Sequence, residues 1–190
     1  MNVYFYKQKL LRELIGKKKY KVIKMFLDNP SSKFSEKEIV QKTKVSRLTV
    51  RRWLSQLEKS GFIVSQILGR VRYYSLNINS YEVRQFKVYY NSTSDIIMDL
   101  INKLRNTRTT KMILFGSFAR GDDRTDSDID VLIVTSEPKE KIWKIGEQLS
   151  KKYNKKLSLI VKSPEEYVLL AKKDNTLYRK AISEGIAYEF

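Results

Sequence analysis

At 190 residues the chain is long enough for one sizeable core or two small ones. It has no cysteine and no histidine, which excludes disulfide scaffolds, thiol catalysis, zinc-finger clusters and imidazole acid–base chemistry. The net charge of +17 is uneven: residues 1–90 hold 20 Lys/Arg against 6 Asp/Glu, and residues 91–190 hold 18 against 15. A basic half joined to a nearly balanced half points to a polyanion partner for the first and a different task for the second. The apolar runs are far shorter than a membrane span and the N-terminus does not read as a signal peptide. A cytoplasmic protein without membrane contact is therefore expected.

Residues 1–15 are apolar and basic, with Leu10, Leu11, Leu14 and Ile15 at helical spacing; packing on the body and packing on a second subunit both fit. A first clear helix spans about Lys17 to Asp28, with Val22, Ile23, Phe26 and Leu27 on one face, and Asn29-Pro30 ends it. Ser35 with Glu38 forms a capping box for a second helix through about Thr43. Lys44-Val45 turns the chain, and Ser46 caps a third helix to about Lys59, stopped by Gly61. Phe62–Leu68, the turn Gly69-Arg70, and Val71–Leu76 read as a two-stranded ribbon. Helix, helix, turn, helix and ribbon make a winged helix-turn-helix pattern.

In the third helix Val50, Leu54 and Leu57 share one face and should be core. The opposite face carries Leu48, Arg51, Arg52, Ser55 and Lys59, flanked by Arg47 and Thr49. Arginines so placed can meet phosphates or read guanine edges, which makes double-stranded DNA the expected partner. Leu48 suits a thymine methyl, or is simply an exposed leucine. Arg70 and Arg72 at the ribbon tip would follow a neighbouring groove. A solvated basic face used for protein contacts is the competing reading.

Residues 78–108 form the connection. Tyr81 to Tyr90 reads as a helix, and Ser92 to Asp95 offers caps for another through about Leu104. The boundary is placed near residue 91, giving a DNA-binding domain over 1–90 and a catalytic domain over 91–190. Asn91-Ser92-Thr93 matches a glycosylation acceptor, incidental in a cytoplasmic protein.

Residues 111–135 carry the chemistry. Met112 to Phe115 is a strand, broken at Gly116-Ser117; Phe118-Ala119-Arg120 starts a short helix, and Gly121 with the polar stretch 122–127 turns the chain. A second strand, Ile129 to Thr135, opens with Asp128 and Asp130 at i and i+2, projecting from one face. Paired carboxylates repel unless a cation lies between them, and oxygen ligands suit Mg²⁺ or Mn²⁺. The backbone N–H groups of the short helix, with the Ser117 hydroxyl, read as an anion cradle at a helix N-terminus. Cradle plus paired acids reads as a nucleoside triphosphate bound through metal.

Further on, Glu137–Tyr153 reads as a helix offering Ile142, Ile145, Leu149 and Trp143 to a sheet. Leu157–Val161 is a third strand. Ser163-Pro164 caps a helix to about Lys173, and a last helix over about Thr176–Ser183 precedes a short strand, Ile186–Phe190. The expected fold class is α+β, with a mixed sheet in the catalytic half.

Gly116-Ser117, ten residues, then Asp128-Ile129-Asp130 resembles the signature of the DNA polymerase β-type nucleotidyltransferases, above all the minimal nucleotidyltransferases with their GSFARGD…SDIDVLIV-like block. The N-terminal part is similar to the winged-helix domains of prokaryotic transcription regulators. The first resemblance implies nucleoside monophosphate transfer from an NTP, ATP above all, to a hydroxyl. In that reading Gly116, Ser117 and Arg120 bind nucleotide while Asp128 and Asp130 hold Mg²⁺ (or Mn²⁺) for catalysis. It also permits a protein hydroxyl as acceptor, since some such proteins are antitoxins that AMPylate a partner toxin. The family commonly has a third acid on the third strand, in a pattern like Val-Asp-Leu-Val. This chain has Ser158 there, and serine cannot replace that base. A DNA-binding regulator or antitoxin that only binds nucleotide or a partner is therefore the alternative, and a C2 homodimer fits paired half-sites.

Overall fold

In a computed structural model of the chain, residues 7–172 and 176–190 are described. The chain divides into two compact units, residues 1–87 and 88–190.

The first unit contains α1 (Lys7–Ile15), α2 (Lys17–Asp28), β1 (Phe34–Ser35), α3 (Glu36–Thr43), α4 (Arg47–Lys59), β2 (Ile63–Leu68) and β3 (Val71–Leu76). Of the first fifteen residues, 1–6 lie outside the described part; Leu14 is exposed on α1 while Leu11 and Ile15 are half-buried. Val22, Ile23, Phe26 and Leu27 of α2 are buried, and the Phe26 ring meets Phe34 edge-on at 5.8 Å. The capping box forms: Glu38 N–H donates to Ser35 Oγ, and Ser35 N–H donates to Glu38. Lys44 ends α3 in the left-handed region, and the Ser46 hydroxyl caps α4. Val50, Leu54 and Leu57 turn inward. β2 and β3 pair antiparallel through a two-residue turn whose Gly69 has φ 60°, as a hairpin with glycine at its first central position requires. The two-residue β1, absent from the sequence reading, adds to the far side of β3, giving the order β1-β3-β2. Two residues leave too little periodicity to detect a strand.

The boundary between units falls inside α5 (Tyr81–Ser92), which runs two residues beyond the expected Tyr90. The second unit continues with α6 (Asp95–Leu104), β4 (Thr109–Phe115), α7 (Gly116–Arg120), β5 (Ile129–Thr135), α8 (Lys139–Tyr153), β6 (Leu157–Lys162), α9 (Pro164–Lys172), α10 (Thr176–Glu184) and β7 (Ile186–Glu189). The expected end of α9 near Lys173 lies outside the described residues. The sheet order is β6-β5-β4-β7, with β5 and β6 parallel and the other pairs antiparallel, a mixed sheet. Alternation along the strands divides the core. Met112, Leu114, Val131 and Ile133 join Ile97, Leu100, Ile101 and Leu104 of α6 and Ile142 and Leu149 of α8. Ile113, Phe115 and Leu132 face the other way, with Ala181 of α10 and Tyr167 of α9.

Three expectations need correction. Trp143 does not pack on the sheet: it is 45% exposed, because the inward stripe of α8 is Ile142, Gly146 and Leu149. A Cβ on Gly146 would lie 2.4 Å from Leu159 Cδ1, so a glycine is what lets α8 approach β6. Helix α8 also starts at Lys139 rather than Glu137, whose carboxylate instead accepts from the Arg108 backbone N–H at 3.1 Å. Ser94 occupies the N-cap of α6 but its hydroxyl makes no cap bond. Among the described residues, no helix is long and apolar enough to cross a membrane.

Candidate nucleotide site and basic helix face

β4 ends at Phe115, which pairs with Asp130 at the start of β5, so the turn around Gly116 arches directly over the carboxylates. Gly116 has φ 74°, and a Cβ there would lie 2.5 Å from Asp130 Oδ2. Both facts demand glycine. α7 is a single short turn that buries Phe118 and Ala119 and closes on Gly121, at φ 71°, whose N–H donates to the Ser117 carbonyl. Ser117 stays half-exposed at the head of this turn.

Asp130 lies on the β5 face that also carries Leu132, and Asp128 stands two residues before it, just ahead of the strand. Burial first, and the Asp128 charge second, push the Asp130 carboxyl above the usual aspartate range. The Ser158 hydroxyl, Lys156 and Arg120 act the other way. Ser158 is Asp130's register partner on β6, so the hydroxyl stands opposite the carboxylate where the family resemblance implies a third acid. Lys156, just before β6, donates from Nζ to Asp128 Oδ2 and forms an ion pair with it. That contact raises the Lys156 pKa. The ammonium stands as a cation on Asp128, and the all-oxygen donors of Asp128 and Asp130 are of the kind that suits Mg²⁺ or Mn²⁺. Among the described residues no third Asp, Glu, His or Cys joins them in a metal-binding cluster.

Arg120 is less available than its sequence position suggests. Its Nη1 donates to Glu184 Oε2 at 2.6 Å and its Nε to Asp122 Oδ2 at 3.2 Å. The Glu184 hydrogen bond is the main cause of its raised pKa. Glu165 and Glu166 serve α9 itself: Glu166 accepts from the Ser163 N–H and from Lys139 Nζ, and Glu165 from the Ser163 hydroxyl.

Behind the motif, Asn91 is buried and donates to the Phe118 carbonyl and to buried Asp123 Oδ1, each at 2.8 Å. The glycosylation match is thus a structural asparagine tying α5 to the motif turn. The sequence reading missed Lys156 and Glu184, and it singled out Asn91 only as an incidental glycosylation match. Of the two missed, only Lys156 left a signal, two residues before Ser158 and hence on the same strand face.

In the first unit, Leu48, Thr49, Arg51, Arg52 and Ser55 line one groove on the outer face of α4, of about 440 Å³. Leu48 is 80% exposed. Arg51 donates from Nε and Nη2 to the Glu36 carboxylate at 3.0 and 3.1 Å, and Arg47 pairs with the same carboxylate. These bonds, Arg51's first, hold the Glu36 carboxyl below the usual range despite partial burial. Arg52 is exposed. Arg70 is exposed at the ribbon turn, and Arg72 lies 4.0 Å from Glu58.

Comparison with known proteins agrees with the second unit's geometry. The profile of the nucleotidyltransferase domain family matches residues 97–186. The candidate protein adenylyltransferase MJ0604 of Methanocaldococcus jannaschii is 38% identical over 93 residues, 47% of this chain and 90% of its own length. A second candidate protein adenylyltransferase of that organism, MJ0141, is 41% identical over 66 residues, 32% of this chain and 67% of its own. A solved structure, a mutant MntA–HpeT toxin–antitoxin complex, aligns with a TM-score of 0.37 at 16% identity, covering 48% of this chain and 71% of that one. With most of MJ0604 matched at that identity, the chain belongs to the nucleotidyltransferase family of enzymes.

Proposed function

We propose that the second unit transfers a nucleoside monophosphate, AMP from ATP above all, to a hydroxyl on a partner protein, and that the first unit is a winged helix-turn-helix domain that binds double-stranded DNA. The observation that carries the first half is the closure of Gly116 over Asp130, with the Asp128 charge close enough to act on Asp130. The names of MJ0604 and MJ0141 support a protein acceptor. A toxin is the class of acceptor that the family resemblance favours.

In the reaction the acceptor oxygen attacks the α-phosphorus, a new P–O bond forms, and the bond to pyrophosphate breaks in line. Ser117 and the Gly116 N–H hold phosphate oxygens, and Arg120 swings from Glu184 toward the triphosphate. Asp128 and Asp130 would hold a divalent cation, which when bound neutralises the triphosphate and the leaving pyrophosphate. The acceptor proton passes to water, since Ser158 is no base. Transfer of α-labelled ATP in host lysate, by wild type and by Asp128→Ala/Asp130→Ala, tests this reading. A labelled band lost in the variant supports it; equal labelling by the variant removes it.

The second reading rests on Ser158. With a hydroxyl opposite Asp130, the unit would bind nucleotide or a partner without turnover, and the protein would act as a DNA-binding regulator or antitoxin. Nucleotide binding without label transfer favours that reading. In either case the basic face of α4 meets DNA phosphates, and a C2 homodimer presents two such faces to paired half-sites.

A further inference from the structure

We infer that the site takes a single divalent cation, and that Lys156 supplies a second positive charge, resting on Asp128 before nucleotide arrives and on phosphate oxygens afterwards. This builds on the reading of Asp128 and Asp130 as a cation site.

Two carboxylates limit the charge the site can neutralise. Among the described residues no other acid, histidine or cysteine clusters with them, and the adjacent strand presents only the neutral Ser158 to Asp130. A second divalent cation would have no carboxylate of its own. The ammonium that closes on Asp128 belongs to a residue that the backbone places beside it. The Ile129 N–H donates to the Lys156 carbonyl at 2.9 Å, and Ile129 pairs with Leu157, so Lys156 stands level with Asp128 at the open end of the parallel pair. Neighbouring cations are engaged elsewhere: Lys155 donates to the Thr125 carbonyl, Lys152 to Asp99, and Arg120 to Glu184 and Asp122.

The Lys156 side chain is 73% exposed. Its stem borders a groove of about 390 Å³ that includes Trp143, Gly146 and Leu159. Nothing locks the ammonium in place, so a doubly charged ion can displace it from Asp128 without unpacking the core. A displaced ammonium remains within a side chain's reach of any triphosphate held at the carboxylates, where it has strong acceptors.

The experiment measures Mn²⁺ alone, by the spin-resonance signal of free Mn²⁺ at fixed pH, on wild type, Lys156→Met and Lys156→Arg. It then measures α,β-methylene-ATP by calorimetry on the Mn²⁺-loaded proteins. Wild type should bind one Mn²⁺ per chain. Lys156→Met should bind Mn²⁺ about tenfold more tightly without nucleotide, and the analogue about tenfold more weakly with Mn²⁺ present. Lys156→Arg should lie near wild type in both. Two Mn²⁺ per nucleotide-free chain, an unchanged Mn²⁺ affinity in Lys156→Met, or both affinities moving the same way would overturn the inference while leaving the cation site intact. A wild type that binds neither Mn²⁺ nor the analogue would overturn the site reading, and this inference with it.

Discussion

Gly116 and Asp130 approach so closely that a methyl group on Gly116 would lie 2.5 Å from Asp130 Oδ2. The left-handed backbone at Gly116, φ 74°, adds a second penalty for any side chain. Gly116→Ala should therefore destabilise the second unit by ~1–3 kcal/mol. By displacing Asp130 it should also lower label transfer more than ~100-fold. Thermal melting and the α-labelled ATP assay read the two effects separately. Wild-type transfer by Gly116→Ala would show that the closure is not needed.

Ser158 offers a test in the opposite direction. Ser158→Asp places a carboxylate opposite Asp130, and if a missing base limits the rate, transfer should rise by about 10²-fold. The same carboxylate adds to the repulsion already felt by Asp130, so melting in metal-free buffer should fall and recover with Mg²⁺. A variant that is destabilised yet no faster would mean that proton removal is not limiting.

On α4, Arg51→Ala with Arg52→Ala should weaken duplex binding and flatten its salt dependence by about two units of slope, if each arginine meets one phosphate. Fluorescence anisotropy at several salt concentrations gives both quantities. Glu36→Gln should do the reverse and strengthen binding, because Glu36 now holds Arg47 and Arg51. An unchanged slope in the double variant would shift attention to Arg70 and Arg72.

Asp99 provides a pH signature. Its carboxylate is partly buried, which alone would raise its pKa, but Lys152 Nζ and Tyr153 Oη donate to it at 2.6 Å each and the net shift is downward. A depressed folded pKa adds stability above the ordinary aspartate value and loses it as pH falls through the folded one. Asp99→Asn should cost ~0.5–1 kcal/mol at neutral pH, modest because the pair is partly exposed. The gap to wild type should close below about pH 4, the ordinary range for aspartate. Chemical denaturation across that range checks it; a gap independent of pH would mean that the contact is not ionic.

Asn91→Ala removes donors to the Phe118 carbonyl and to buried Asp123. Leaving such groups short of a partner costs ~1–3 kcal/mol, and the loss should reach nucleotide binding through α7. Binding of α,β-methylene-ATP that survives a clear drop in melting temperature would confine Asn91 to the fold.

What the sequence disclosed follows the range of the forces involved. Ser35 with Glu38, the inward stripe Val50, Leu54, Leu57, and the Gly69 turn are local, and all three formed as read. The unbroken apolar run Met112–Phe115 marked a strand, and both of its faces are buried. Contacts between distant segments left little trace. Glu184 lies on a helix with no motif of its own, yet it holds Arg120. Trp143 looked like core until Gly146 and Leu159 took the inward position beside it. Lys156 was one lysine among many until the β5–β6 register set it against Asp128.

The pairing of β7 with β4 orders events in time. β4 leads into Gly116 and has β5 on one side, but its other neighbour is Ile186–Glu189, far downstream. The same late stretch brings Glu184 to Arg120. A ribosome that has just finished the Gly116-to-Asp130 segment has therefore made the proposed site residues before β7, which pairs with β4, has been made. The framework around Gly116 is complete only once Ile186–Glu189 has been made and has paired with β4, so a chain synthesised only as far as Asp130 carries the proposed site without its full support.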